Sequence, residues 1–104
     1  LISWGSTAGV CREALALARA EGLRVKLLVP WLLYPVAEET YLRFLEGVRT
    51  GLVVEQSYQG QLFRILRMFV DLPRGLGSFA RSGANPFLPR EVVARLREAA
   101  ATVK

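Results

Sequence analysis

Apolar residues recur along this chain in two alternating rhythms. Short, nearly unbroken runs predict strands, and stripes at three- and four-residue spacing predict helices. Leu1-Ile2-Ser3-Trp4 predicts a first strand, stopped by Gly5. Ser6 or Thr7 predicts the cap of a helix running to about Glu21, with Cys11, Ala14, Leu15 and Ala18 on one stripe and Gly22 just past its end. Arg24 to Val29 predicts a second strand, whose Val25, Leu27, Leu28 and Val29 suit burial on both faces. Pro30 and Pro35 bracket the aromatic connection Trp31-Leu32-Leu33-Tyr34. A second helix follows from about Val36 to Glu46, with Ala37, Tyr41, Phe44 and Leu45 inward and a Glu39–Arg43 pair outside.

Leu52 to Glu55 predicts the third strand, and Gly60 precedes a third helix with Leu62, Ile65, Leu66 and Phe69 on one stripe. Leu76 to Ala80 predicts a short fourth strand. The last helix is predicted over Arg90 to Val103, with Val92, Leu96, Ala99 and Val103 aligned and Glu91 facing Arg95. Strands joined through helices must be parallel, with right-handed crossovers. The expected fold is therefore a three-layer α/β/α domain with a small, mostly parallel sheet. Its 104 residues make one domain, 1–104.

Composition narrows the chemistry. Hydrophobic residues make up 52% and charged residues 22%, as in a folded domain. Histidine is absent, which removes the commonest general base and metal ligand. One cysteine, Cys11, forms no internal disulfide and no thiolate cluster, so a cytoplasmic setting is expected. The longest apolar stretch, Leu27 to Pro35, is too short to span a bilayer. The chain opens at Leu1 in apolar residues, which reads as a piece of a longer polypeptide. The net charge is +5. Residues 60–90 hold five arginines (Arg64, Arg67, Arg74, Arg81, Arg90) against Asp71, which reads as a solvated helix face and loop. No nucleic-acid motif accompanies them, and neither nucleic acid nor membrane is an expected partner.

Functional groups in parallel sheets gather at the carboxyl ends of the strands. Gly5, Ser6 and Thr7 at a helix start present backbone N–H groups suited to a small anion or nucleotide, although capping alone explains the hydroxyls. The stretch Glu55-Gln56-Ser57-Tyr58-Gln59-Gly60-Gln61 places a carboxylate, amides and a phenol at the sheet edge. It reads as a hydrogen-bonded turn, or as a subunit contact or pocket rim.

That stretch, from Val54 to Leu62, resembles the V-E-Q-N-Y-x-G-Q-L signature of the alpha subunit of 2-oxoacid:ferredoxin oxidoreductases, with Ser57 in place of the Asn. Trp4-Gly5-Ser6-Thr7 with Arg12-Glu13-Ala14, the prolines Pro30 and Pro35, and Pro86-Phe87-x-Pro89-x-Glu91-Val92 resemble further family motifs in the same order. Ala84 and Asn85 depart from the family's glycine and arginine, and Leu88 stands where a Ser/Thr cap is usual.

The resemblance implies a domain like the C-terminal domain of transketolase, with one further, antiparallel strand before Leu1. It implies an enzyme that decarboxylates a 2-oxoacid such as 2-oxoglutarate or pyruvate on thiamine diphosphate and Mg²⁺. That enzyme passes electrons through iron–sulfur clusters to ferredoxin and makes an acyl-CoA. This domain is then expected to hold no catalytic residue, metal or cofactor of its own. It is expected to contact the remaining domains of the alpha subunit and a beta subunit through Trp31, Tyr34, Glu55, Gln56, Tyr58 and Gln61. Two alternatives stand beside it: an independent anion- or nucleotide-binding α/β module, and the equivalent domain of another thiamine enzyme.

Overall fold

The computed structural model describes residues 1–30, 36–57, 60–82 and 86–101. The elements are β1 (Ile2–Ser3), α1 (Thr7–Ala20), α2 (Glu38–Phe44), β2 (Thr50–Glu55), α3 (Gln61–Phe69), β3 (Gly75–Ala80) and α4 (Pro89–Ala101). The strands form one parallel sheet in the order β1-β2-β3. Ile2 pairs with Val53 and Ser3 with Val54, while β2 pairs with β3 along its whole length, from Thr50–Gly75 to Glu55–Ala80.

Alternation along β2 builds the two outer layers. Leu52 and Val54 face α1 and α4, in a core with Cys11, Ala14, Ala18, Val92, Val93 and Leu96. Ile2 and Val53 face α2 and α3, in a core with Tyr41, Leu45, Leu62 and Leu66. The small stripe Cys11-Ala14-Ala18, fully buried, lets α1 lie close to the sheet and to α4. This is the three-layer α/β/α arrangement expected from the sequence.

The second predicted strand departs from expectation. Residues 24–29 lie parallel to β1 through Leu28 N–H to Leu1 O (2.9 Å) and Ser3 N–H to Leu28 O (3.1 Å), yet they form only a bridge, Ile2 to Leu28. The segment has β1 on one side, and Pro30 has no N–H to prolong the ladder. Arg24 and Lys26 are exposed and Val25, Leu27, Leu28 and Val29 are half-buried, so it is not covered on both faces.

Smaller departures follow from packing. Helix α2 is two residues shorter at each end than its pattern predicts, and Ala37 precedes it, exposed, in non-helical backbone. Phe69, predicted inward, is 39% exposed at the last position of α3. Val93 joins Val92 and Leu96 in the core. The Glu39–Arg43 pair forms at 2.7 Å. Glu91 instead pairs with Arg81, at 2.7 Å, and Arg95 stacks over the Phe79 ring at 4.4 Å.

Candidate functional site

The chain reverses its direction of travel across the sheet at β1. From β1 it goes through α1 to the 24–28 segment on one side, then through α2 to β2 on the other. Such a reversal opens a crevice beyond the carboxyl ends of the two strands it separates, where open α/β sheets hold their ligands. Here those ends are Trp4-Gly5-Ser6-Thr7 and Glu55-Gln56-Ser57.

A buried carboxylate, Glu55, stands at this point, at the end of β2. The alternation that sends Val53 toward α3 sends Glu55 the same way, and Glu55 is fully buried. Its Oε1 accepts from Leu62 N (2.8 Å), Ser57 Oγ (2.8 Å) and Trp4 Nε1 (3.3 Å), and its Oε2 accepts from Phe63 N (3.0 Å). Leu62 and Phe63 are the second and third residues of α3, whose first N–H groups have no partner within the helix. Glu55 is thus a charged cap supplied from seven residues upstream, aligned with the positive end of the helix. Ser57 Oγ also accepts from Gln61 N at 3.3 Å.

Gly60 makes the turn possible. Its φ is +64°, and a Cβ there would lie 2.6 Å from Ser78 Oγ and 3.6 Å from Glu55 Oε2. Only a residue without a side chain brings the start of α3 so close to β3 and to the carboxylate.

On the β1 side, the Thr7 hydroxyl turns inward. It donates to Trp4 O at 2.8 Å, lies 3.4 Å from Val54 O, and shares a 2.6 Å bond with Ser3 Oγ. Thr7 is buried, whereas Gly5 and Ser6 are exposed. Ser6 occupies the N-cap position of α1 but makes no side-chain cap bond, so the capping expected of Ser6 or Thr7 is absent.

Of the sequence-predicted contact residues, Glu55 is internal, Gln56 is half-buried beside it, and Gln61 is exposed at the first position of α3. Trp31, Tyr34 and Tyr58 lie outside the described residues. The fit to metal or cluster chemistry is poor. The only cysteine, Cys11, is buried under α1, and burial pushes its thiol pKa up, away from the thiolate a metal needs. The buried carboxylate already accepts from four donors. Among the described residues no three His, Cys, Asp or Glu side chains cluster as a metal site.

A second polar cluster escaped the sequence reading. Arg81 donates through both terminal nitrogens to Glu91 (2.7 and 3.3 Å) and through Nη1 to Pro86 O (3.1 Å), with its guanidinium 4.5 Å from the Phe87 ring. Glu91 Oε1 accepts from Leu88 N at 3.1 Å, which supplies at the third position of α4 the cap that Leu88 itself lacks. Arg81 is thus a clamp between the end of β3 and α4 rather than a solvated loop charge. The one signal in the sequence was an acidic residue three positions after the cap.

Among the described residues no helix is long and apolar enough to cross a membrane. Comparison with known proteins agrees with the family resemblance. The chain is 33% identical over 97 residues to 2-oxoacid:ferredoxin oxidoreductase 2, subunit alpha, of Aeropyrum pernix, covering 93% of this chain and 15% of that protein. It is 32% identical over 100 residues to ketoisovalerate oxidoreductase subunit VorB of Methanothermobacter marburgensis, covering 96% of this chain and 28% of that protein. Its fold superimposes with a TM-score of 0.86, at 37% identity, on the 2-oxoglutarate:ferredoxin oxidoreductase from Magnetococcus marinus solved with 2-oxoglutarate, coenzyme A and succinyl-CoA bound. That match covers 94% of this chain and 17% of the other. Residues 1–92 match the family described as pyruvate:ferredoxin oxidoreductase core domain II, and the chain belongs to that family.

Proposed function

We propose that this chain is one domain of a 2-oxoacid:ferredoxin oxidoreductase alpha subunit, and that it supports and contacts the catalytic parts without supplying catalytic groups. The observation that carries this reading is the Glu55 cluster. At the strand ends where a parallel sheet usually holds a ligand, the Glu55 carboxylate bonds instead to Trp4, Ser57 and α3. A family motif placed there serves shape rather than turnover. The whole enzyme would act in the cytoplasm. It would oxidise a 2-oxoacid such as 2-oxoglutarate or pyruvate with thiamine diphosphate, Mg²⁺, iron–sulfur clusters and CoA, and deliver electrons to ferredoxin.

In this reading Trp31, Tyr34, Gln56, Tyr58 and Gln61 form the contact edge, with Glu55 behind them holding its shape. Aromatic anchors carry much of an interface's energy. Tyr34→Ala and Tyr58→Ala in the complete enzyme are each expected to weaken subunit or domain association by about 2 kcal/mol, with this domain's melting little changed. Unchanged association with a collapsed melting temperature would assign both tyrosines to the core and overturn the contact reading. The 104-residue chain alone is expected to reduce no dye with 2-oxoglutarate or pyruvate, even with thiamine diphosphate and Mg²⁺ added. Turnover by the purified chain would overturn the non-catalytic assignment.

A further inference from the structure

At the opposite end of the sheet, below the amino ends of β1, β2 and β3, lies a cleft of about 620 Å³. Leu23, Val25, Leu45, Val48, Leu76 and Leu96 line it, from both layers of the core. Among the described residues its charged lining is Arg19, Arg24, Lys26 and Arg49 against one acid, Glu46, and all five are exposed. The cleft thus carries three of the chain's five net positive charges.

The build of the cleft favours a protein segment over a small molecule. Pockets for small molecules carry a few convergent polar groups inside an apolar wall. Here the buried polar side chains of the described residues, Ser3, Thr7 and Glu55, are bonded within the fold near the other end of the strands. The cleft instead has an apolar floor and a charged, solvent-reached rim, which is the anatomy of a protein–protein contact. The chain spans 15% and 28% of the relatives it matches, so most of their polypeptide lies outside the matched domain.

We propose that this cleft docks an acidic segment of the rest of the enzyme. That segment lays aliphatic side chains over Leu23, Val25 and Val48 and sets carboxylates against Arg19, Arg24 and Lys26. The inference rests on the reading of the chain as one domain of a larger subunit, and it adds a second contact surface remote from the Glu55 edge.

Lys26 makes the test direct. Its ammonium stands 4.9 Å from the Phe44 ring centroid, at the rim. In the purified complete enzyme, zero-length carbodiimide coupling is expected to join Lys26 to an Asp or Glu outside this chain, as read by peptide mass spectrometry. High salt should suppress the product, and Arg24→Glu should lower its yield severalfold without changing the domain's melting. A Lys26 that stays uncoupled, or that couples only to Glu46, overturns the proposal. So does stoichiometric binding of decanoate at the cleft of the complete enzyme, because an open cleft is not a docked one. If Lys26 fails to couple while Tyr34→Ala and Tyr58→Ala still weaken association, the docking proposal falls and the domain reading stands.

Discussion

The Glu55 carboxylate and the Leu62 backbone N–H meet at 2.8 Å, so the family-like motif opens with the group that holds the start of its own helix. Ser57 braces the same oxygen, and Gly60 gives the chain room to turn back to it. The spacing from Glu55 to Gly60 to Leu62 is therefore a geometric requirement of this turn. Glu55→Ala would leave the buried Leu62 N–H and the partly buried Phe63 N–H without an acceptor, and is expected to cost about 2–4 kcal/mol of stability. Glu55→Gln keeps one acceptor oxygen and should cost less. Urea denaturation of the three proteins checks the order, and equal midpoints would refute the capping role.

Gly60→Ala tests the turn separately. The left-handed backbone disfavours any side chain, and the new methyl would press on Ser78 Oγ. A loss of about 1–3 kcal/mol is expected. Adding Ser78→Ala should recover part of it, because the clash contributes and the backbone strain remains. A double variant no more stable than Gly60→Ala would show that the contact is irrelevant.

The Arg81–Glu91 clamp sets an acid dependence. The Arg81 guanidinium, then the Leu88 N–H, hold the Glu91 carboxyl below its ordinary range. A carboxyl lowered by folding stabilises fully above its unfolded value, about 4.3, and loses that contribution as the pH falls through the lowered folded value. Glu91→Gln should therefore be less stable than the parent at neutral pH, with the gap closing only in acid. Parallel pH–stability curves would show that the pair contributes nothing.

Cys11 should be silent until the fold opens. Its side chain is fully buried and burial raises its thiol pKa. A disulfide reagent at pH 8 is expected to label it at a rate that rises with urea in step with unfolding. Fast labelling in water would mean that α1 lifts from the sheet on its own.

The layers were legible from the sequence because period alone decides them. Cys11, Ala14 and Ala18 mark one face of α1, and Val53 and Val54 alternate across β2. The 24–29 segment was not, because an apolar run does not tell whether a strand has one neighbour or two. The site was half legible. The quoted motif contains Glu55, Ser57 and Gly60, yet sequence left open whether the carboxylate faced a helix or a partner. Its reach back to Trp4, 51 residues away, depends on β1 and β2 being neighbours, which no local pattern encodes. Glu91 was paired on paper with Arg95 by helix spacing. Arg81, ten residues upstream, meets it with both terminal nitrogens and lies against two rings.

Placing a charged side chain last in a buried strand also guards against misassembly. If β2 slid by one residue against β1 and β3, every side chain would change face. Glu55 would then enter the layer of Val54, Val92 and Leu96, far from the N–H groups of α3, as an unpaired charge among hydrocarbon. The desolvation penalty is several kcal/mol, whereas exchanging one valine for another across the sheet costs almost nothing. The valines of β2 would tolerate either alignment, so its final residue is the one that rejects the wrong one.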